Sequence, residues 1–178
     1  MESHSVDIDL TAHLKILYAA YRHTNDIDAK GTFFSPFCYQ ICRPQPSFAA
    51  RDRETIIRYL HETAPKRDST RQKTKGYYTI RPLVETEFEF GTDEQVAPAG
   101  FPSAESIKEK ARAEGWVGMR VDLWNESAGL EEEEDNSLMV KVQYWWRKEG
   151  ELWLQIFHDI MYMDAKDGTQ GLEGNVLE

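Results

Sequence analysis

Basic residues are scarce beside acidic ones in this chain: 21 Lys and Arg stand against 31 Asp and Glu, for a formal net charge of −10. Surfaces built for phosphates, of nucleic acid or of an anionic membrane, need basic patches, so both partners are set aside and the charge is read as a solubility feature. Cysteine is nearly absent, Cys38 and Cys42 being the two. On an extended segment their Cα atoms stand ~13 Å apart, beyond the reach of a disulfide, which leaves two buried thiols in a reducing compartment. Long apolar runs are missing as well. No stretch approaches the ~20 residues of a membrane span. Met1–Asp9 carries acids without the apolar core of a secretory leader, which makes the cytoplasm the default location. No HExxH, CxxC, GxSxG, P-loop or GxGxxG pattern occurs. His4, His13, His23 and His61 show no ligand spacing. No metal and no cofactor is expected.

What is present describes one globular domain: 178 residues, 40% of them hydrophobic. Leu10, Leu14, Leu17, Tyr18 and Tyr21 recur at helical spacing, predicting a helix over residues 8–24, with a turn or short helix to Gly31. Phe37–Arg43 is rich in β-formers and stops at Pro44. Asp52 can cap a second helix, buried through Ile56, Ile57 and Leu60 and ended by Pro65. Lys66–Lys75 reads as a mobile basic loop. Tyr77–Phe90 is extended but broken at Pro82; beyond it Val84, Thr86, Phe88 and Phe90 alternate with glutamates, predicting a half-buried strand. A loop from Gly91 leads to a helix capped by Ser103 and closed by Gly115, whose thin stripe of Ala104, Ile107 and Ala111 suggests a surface position. Three long strands finish the domain, over residues 116–125, 138–148 and 152–163. An acidic loop at Glu131–Asp135 joins the first two, and a hairpin at Glu149-Gly150 the last two. The domain is expected to span residues 1–163, with a loop–helix insertion at about 91–115 and a flexible tail from 164 to 178.

Helices first, then a run of long strands, carried by Phe33–Leu60 (FFSPFCYQICRPQPSFAARDRETIIRYL) and Leu138–Met163 (LMVKVQYWWRKEGELWLQIFHDIMYM), resembles the SnoaL-like branch of the nuclear-transport-factor-2-like superfamily, including its fungal members. The resemblance implies an α+β fold, a cone-shaped curved antiparallel sheet wrapped around N-terminal helices, with a deep pocket. Relatives include ketosteroid isomerases, scytalone dehydratase and polyketide cyclases, alongside non-catalytic binding and dimerising modules. The insertion at 91–115 departs from the family's shorter connection.

Within such a pocket the adjacent pair His158-Asp159 is the candidate base. Neighbours on a strand point to opposite faces, so at most one of the two enters. A two-residue turn at Glu149-Gly150 sets Asp159 across from Val140 and inside; a turn one residue longer sets His158 across from Val142 instead. The aliphatic neighbours favour His158, whereas the cyclases of the family carry an aspartate on their last strand. Arg43, ending the first strand, is placed to hold an enolate or carboxylate oxygen. Tyr39 and Tyr78 are candidate hydroxyl donors, and Tyr144 and Trp146 lie on the buried face of the partner strand. Arg120 and Asp122 read as a surface pair.

Two functions follow. The first is a cofactor-independent isomerase, cyclase or dehydratase acting by acid–base chemistry on a small, largely apolar carbonyl metabolite, polyketide- or terpenoid-like. The second is a non-catalytic small-ligand-binding or dimerising module of the same fold. A homodimer through the outer sheet face is expected, with Met139, Trp145, Trp153 and Phe157 supplying apolar area.

Overall fold

A computed structural model describes residues 3–64, 76–125, 138–172 and 174–178. Helix α1 (Ser3–His23) lays Leu14 and Tyr18 into the core. Asp26 caps the single turn α2 (Ile27–Lys30), accepting a hydrogen bond from the Ala29 N–H. Strand β1 (Phe34–Cys42) stops short of Pro44, and helix α3 (Arg53–Thr63) begins where the Asp52 carboxylate accepts from the Thr55 N–H at 2.8 Å.

The remaining strands are β2 (Gly76–Pro82), β3 (Val117–Asn125), β4 (Leu138–Glu149) and β5 (Leu152–Ala165). They form one open sheet in the order β1-β5-β4-β3-β2. The sheet is mixed rather than antiparallel throughout, because β1 lies parallel to β5. The chain leaves β1, crosses to the far edge and meanders back through three antiparallel ladders. Both edges are blunted by isolated bridges, Ala50 to Gln40 on β1 and Leu177 to Tyr78 on β2. The segment expected to be a flexible tail thus returns to the sheet, and on its way Thr169 Oγ1 accepts from Lys141 Nζ at 2.9 Å.

Two apolar layers flank the sheet. On one face α1 packs on Tyr78, Ile80, Met119, Val121, Val142, Tyr144 and Trp146. The other face is covered by the insertion: α4 (Asp93–Val96), started by a Thr92–Gln95 capping box, and α5 (Ala104–Glu114), capped by Ser103 and closed by Gly115 at φ +68°. The thin stripe of α5 does not leave it on the surface. Ile107 and Ala111 are buried, in one cluster with Trp116, Trp145, Ile156 and Phe157, whose large side chains supply the bulk that the small stripe lacks. The expected dimer face is therefore closed from within the chain. Met139, Trp145 and Phe157 are at most 1% exposed, and Trp153 belongs to the layer on the α1 side.

The alternating segment after Pro82 is not a strand. Arg81 grips both carboxylate oxygens of Glu87, at 2.7 and 2.9 Å, and Glu87 also accepts from the Val84 N–H. The chain curls into a 3₁₀ turn (Glu85–Glu87), and Phe88 and Phe90 pack onto Trp145. The basic loop Lys66–Lys75 and the acidic run Glu131–Asp135 lie outside the described residues.

Candidate functional site

The hairpin between β4 and β5 turns at Gly150-Glu151, with Glu149 across from Leu152 and Gly150 at φ +63°, the geometry of a type II′ turn. That register alone would set Asp159 across from Val142. A bulge at Ile156 shifts it: Trp146 faces Gln155, but Trp145 faces Phe157, Tyr144 faces His158 and Gln143 faces Asp159. One extra residue thus sends His158 to the α1 side and Asp159 to the insertion side.

His158 is 3% exposed and sits between Phe34 and Tyr144, edge-on to both rings at 5.0 and 5.1 Å. Nδ1 lies 3.2 Å from Gln40 Oε1, and Nε2 lies 2.6 Å from the Gln155 side-chain amide and 3.8 Å from Cys38 Sγ. Burial lowers its pKa to about 3, so the ring is neutral at physiological pH. A neutral ring donates once. Gln40 uses its amide nitrogen on Phe48 O, so its oxygen takes the Nδ1 proton. The ring's Nε2 lone pair then calls for the Gln155 amide nitrogen, which has no other partner. Tyr144 continues the cluster, with hydroxyl hydrogen bonds to Tyr18 and Tyr21, and burial raises the pKa of all three phenols. Trp146 and Tyr78 pack in the same layer. The space expected to hold a pocket is filled by these rings. Cys38 and Cys42 are free thiols, and burial raises the pKa of each.

Asp159, fully buried, binds Arg43 in a two-pronged pair, Nε to Oδ1 at 3.0 Å and Nη2 to Oδ2 at 2.6 Å; the same Nη2 also reaches Glu89 at 2.9 Å. Burial raises the carboxyl pKa and Arg43 pulls it back. For Arg43 burial opposes the charge, but its bonds to Asp159 and Glu89 prevail and raise its pKa. The pair is ionic and clamps the end of β1 to the middle of β5 and to the segment that leads into the insertion. Arg120 and Asp122 do pair, at 3.1 Å, but Asp122 is 1% exposed rather than on the surface. Tyr39 lies on this side too, its ring 4.6 Å from that of Phe101.

None of these seven candidate residues borders a well-formed cavity found among the described residues. That cavity is a cleft of about 600 Å³, walled by Leu10 and Thr11 of α1, Pro82–Glu85 and Phe88, Lys108 and Arg112 of α5, Trp116–Met119, and Trp145. It forms because β2 ends at Pro82 and leaves the first residues of β3 uncovered between α1 and α5. Gly118 belongs to its floor: a Cβ there would lie 2.6 Å from Leu83 Cδ1 and 2.8 Å from the Trp145 ring. Its walls are apolar and polar in about equal measure, with Glu85, Lys108 and Arg112 as charged groups. Sequence reasoning missed this site. The signal available was Lys108 and Arg112, one helical turn apart beside the Ile107–Ala111 stripe. Among the described residues no cluster of three or more His, Cys, Asp or Glu is arranged to hold a metal ion, and no helix is long and apolar enough to cross a membrane.

Comparison with solved structures returns distant likenesses. A protein of Novosphingobium aromaticivorans, provisionally described as a scytalone dehydratase, superposes with a TM-score of 0.50 at 12% identity, over 98% of this chain and 96% of that one. A hexachlorocyclohexane dehydrochlorinase (LinA type 2) gives 0.46 at 9%, over 91% and 92%. A Xanthomonas campestris protein provisionally described as a calcium/calmodulin-dependent protein kinase II association domain gives 0.43 at 13%, over 90% and 87%. No curated protein matches the sequence. The first likeness shows the nuclear-transport-factor-2-like fold. The model of the SnoaL-like domain matches residues 3–178, and the chain belongs to that family.

Proposed function

We propose that this chain is a small-molecule-binding SnoaL-like domain whose ligand occupies the cleft between α1, α5 and the start of β3. The observation that carries the reading is the separation of cavity from candidate base. The cleft of about 600 Å³ falls within the size range of small-ligand sites and sets apolar walls beside charged groups. His158 and Asp159 are closed off from it by packing and by the Arg43 pair. A general base must come within hydrogen-bond reach of the proton it takes. The ligand is a small organic molecule with an extended apolar body.

The test is a titration with N-phenyl-1-naphthylamine, an uncharged apolar fluorophore, read by energy transfer from the lining residues Trp116 and Trp145. Saturable binding is expected. Val84→Asp, at an exposed position of the cleft wall, should weaken it about ten-fold, the worth of one valine contact at ~1.5 kcal/mol. His158→Gln should leave it unchanged. Absence of saturable binding, or loss of it in His158→Gln, contradicts the reading.

The likeness in fold to the protein described as a scytalone dehydratase favours a second reading: a cofactor-independent isomerase, cyclase or dehydratase acting on a small carbonyl compound, with His158 or Asp159 as the base. It requires the layer of Tyr18, Tyr144 and Trp146 to open for substrate. Turnover of any such compound that is abolished by His158→Gln and unaffected by Val84→Asp would favour this second reading over the first.

A further inference from the structure

Acids outnumber bases in this chain, and four arginines on or beside the sheet are each held by acids. Arg43 binds Asp159 and Glu89, Arg81 binds Glu87, Arg120 binds Asp122, and Arg147 binds Glu114 and Glu149. Helix α5 follows the same rule once: Lys110 binds Glu114 one turn on, at 2.9 Å. Lys108 and Arg112 differ from these in facing the cleft. They stand one turn apart on α5, both line the cleft, and neither makes an ion pair among the described residues. Like charges at this spacing repel by a few tenths of a kcal/mol, a cost that packing elsewhere in the helix does not require. Arg112 lies over Phe88, 5.3 Å from the ring centroid, and Phe88 is itself a wall of the cleft. Glu85 also borders the cleft and pairs with neither cation among the described residues, so the lining keeps one positive charge in excess. Trp145, buried in the same wall, retains an indole N–H without an acceptor.

We infer, resting on the cleft reading above, that the ligand is an amphipathic organic anion. Its apolar body lies against Leu83, Trp116, Val117 and Trp145, and its carboxylate or sulfonate group is held by Lys108 and Arg112. An inorganic anion would leave the apolar walls unused, and a neutral hydrocarbon would leave two cations facing each other without a counter-charge. Joint recognition of both features selects the class.

The experiment compares two probes that share one ring system. 8-Anilino-1-naphthalenesulfonate carries a sulfonate, and N-phenyl-1-naphthylamine does not. The anionic probe is expected to bind the full chain at least about ten-fold more tightly, the worth of one charge-assisted hydrogen bond at ~1.5 kcal/mol. In Lys108→Gln/Arg112→Gln that ratio should fall to about one, and Val84→Asp should weaken both probes together. Added salt should weaken the anionic probe selectively. Equal affinities in the unmodified chain, or a ratio unmoved by the double substitution, overturns the inference and leaves the cleft reading standing. Failure of the neutral probe to bind at all overturns the cleft reading itself.

Discussion

His158 lies directly across the β4–β5 ladder from Tyr144, ring against ring with centroids 5.1 Å apart, in a closely packed buried layer. The consequence is a stability that depends on pH. Folded, the imidazole has a pKa of about 3; unfolded, it returns to about 6.5. The unfolded chain therefore binds the extra proton as pH falls, and the stability this residue contributes is complete above 6.5 and lost progressively between 6.5 and 3. Between pH 7 and pH 5 the loss is about 2 kcal/mol. Urea unfolding at those two values should show it, and His158→Gln should remove most of it. Glu87 and Glu114, both lowered to about 2, add their own loss only as pH falls below about 4.5. A stability flat from pH 7 to 5 in the unmodified chain contradicts the buried neutral ring.

The Arg43–Asp159 pair should act as a structural clamp. Asp159→Asn leaves a half-buried guanidinium with Glu89 alone, and the expected cost is about 2–3 kcal/mol, somewhat below that of breaking a fully buried pair because Arg43 keeps 16% of its side chain in water. Arg43→Met and Asp159→Leu together should cost less than the sum of the two single changes, measured by urea midpoints in a double-mutant cycle. Additive costs would mean that the two residues do not support each other.

Helix α5 occupies the sheet face that a dimer would use, so light scattering is expected to give the monomer mass of 20.6 kDa at high concentration. Phe157→Ala should lower stability by about 3–5 kcal/mol, as an aromatic deleted from a core does, without changing the mass. A particle of twice that mass that Phe157→Ala dissociates would show that the face opens after all.

Much of this architecture is legible in the residues. Asp52, Ser103 and Gly115 mark helix ends that the structure reproduces, because capping is a local transaction between a side chain and the next turn. Leu14 and Tyr18 mark the buried stripe of α1 for the same reason. The sheet faces were harder to read. Which of His158 and Asp159 turns towards α1 depends on a bulge at Ile156, and nothing in the alternation of Leu152–Met163 announces an extra residue. Val84–Phe90 carries a strand's period, but Arg81 closing on Glu87 outweighs it. Ile107 and Ala111 form too thin a stripe to signal burial, since the missing volume comes from Trp145 and Phe157, far along the chain. The cleft shares that origin. It exists because β2 stops at Pro82 while β3 begins opposite, a relation between two strands that neither segment contains alone.

The most direct test of the account is where a ligand binds. Backbone amide shifts of the ¹⁵N-labelled chain, followed during titration with N-phenyl-1-naphthylamine, report this residue by residue. Shifts confined to Leu10–Thr11, Leu83–Phe88, Lys108–Met119 and Trp145 are the expected result. Shifts centred on Tyr18, Tyr144 and His158, with the cleft residues unmoved, would contradict it and return the site to the layer beneath α1.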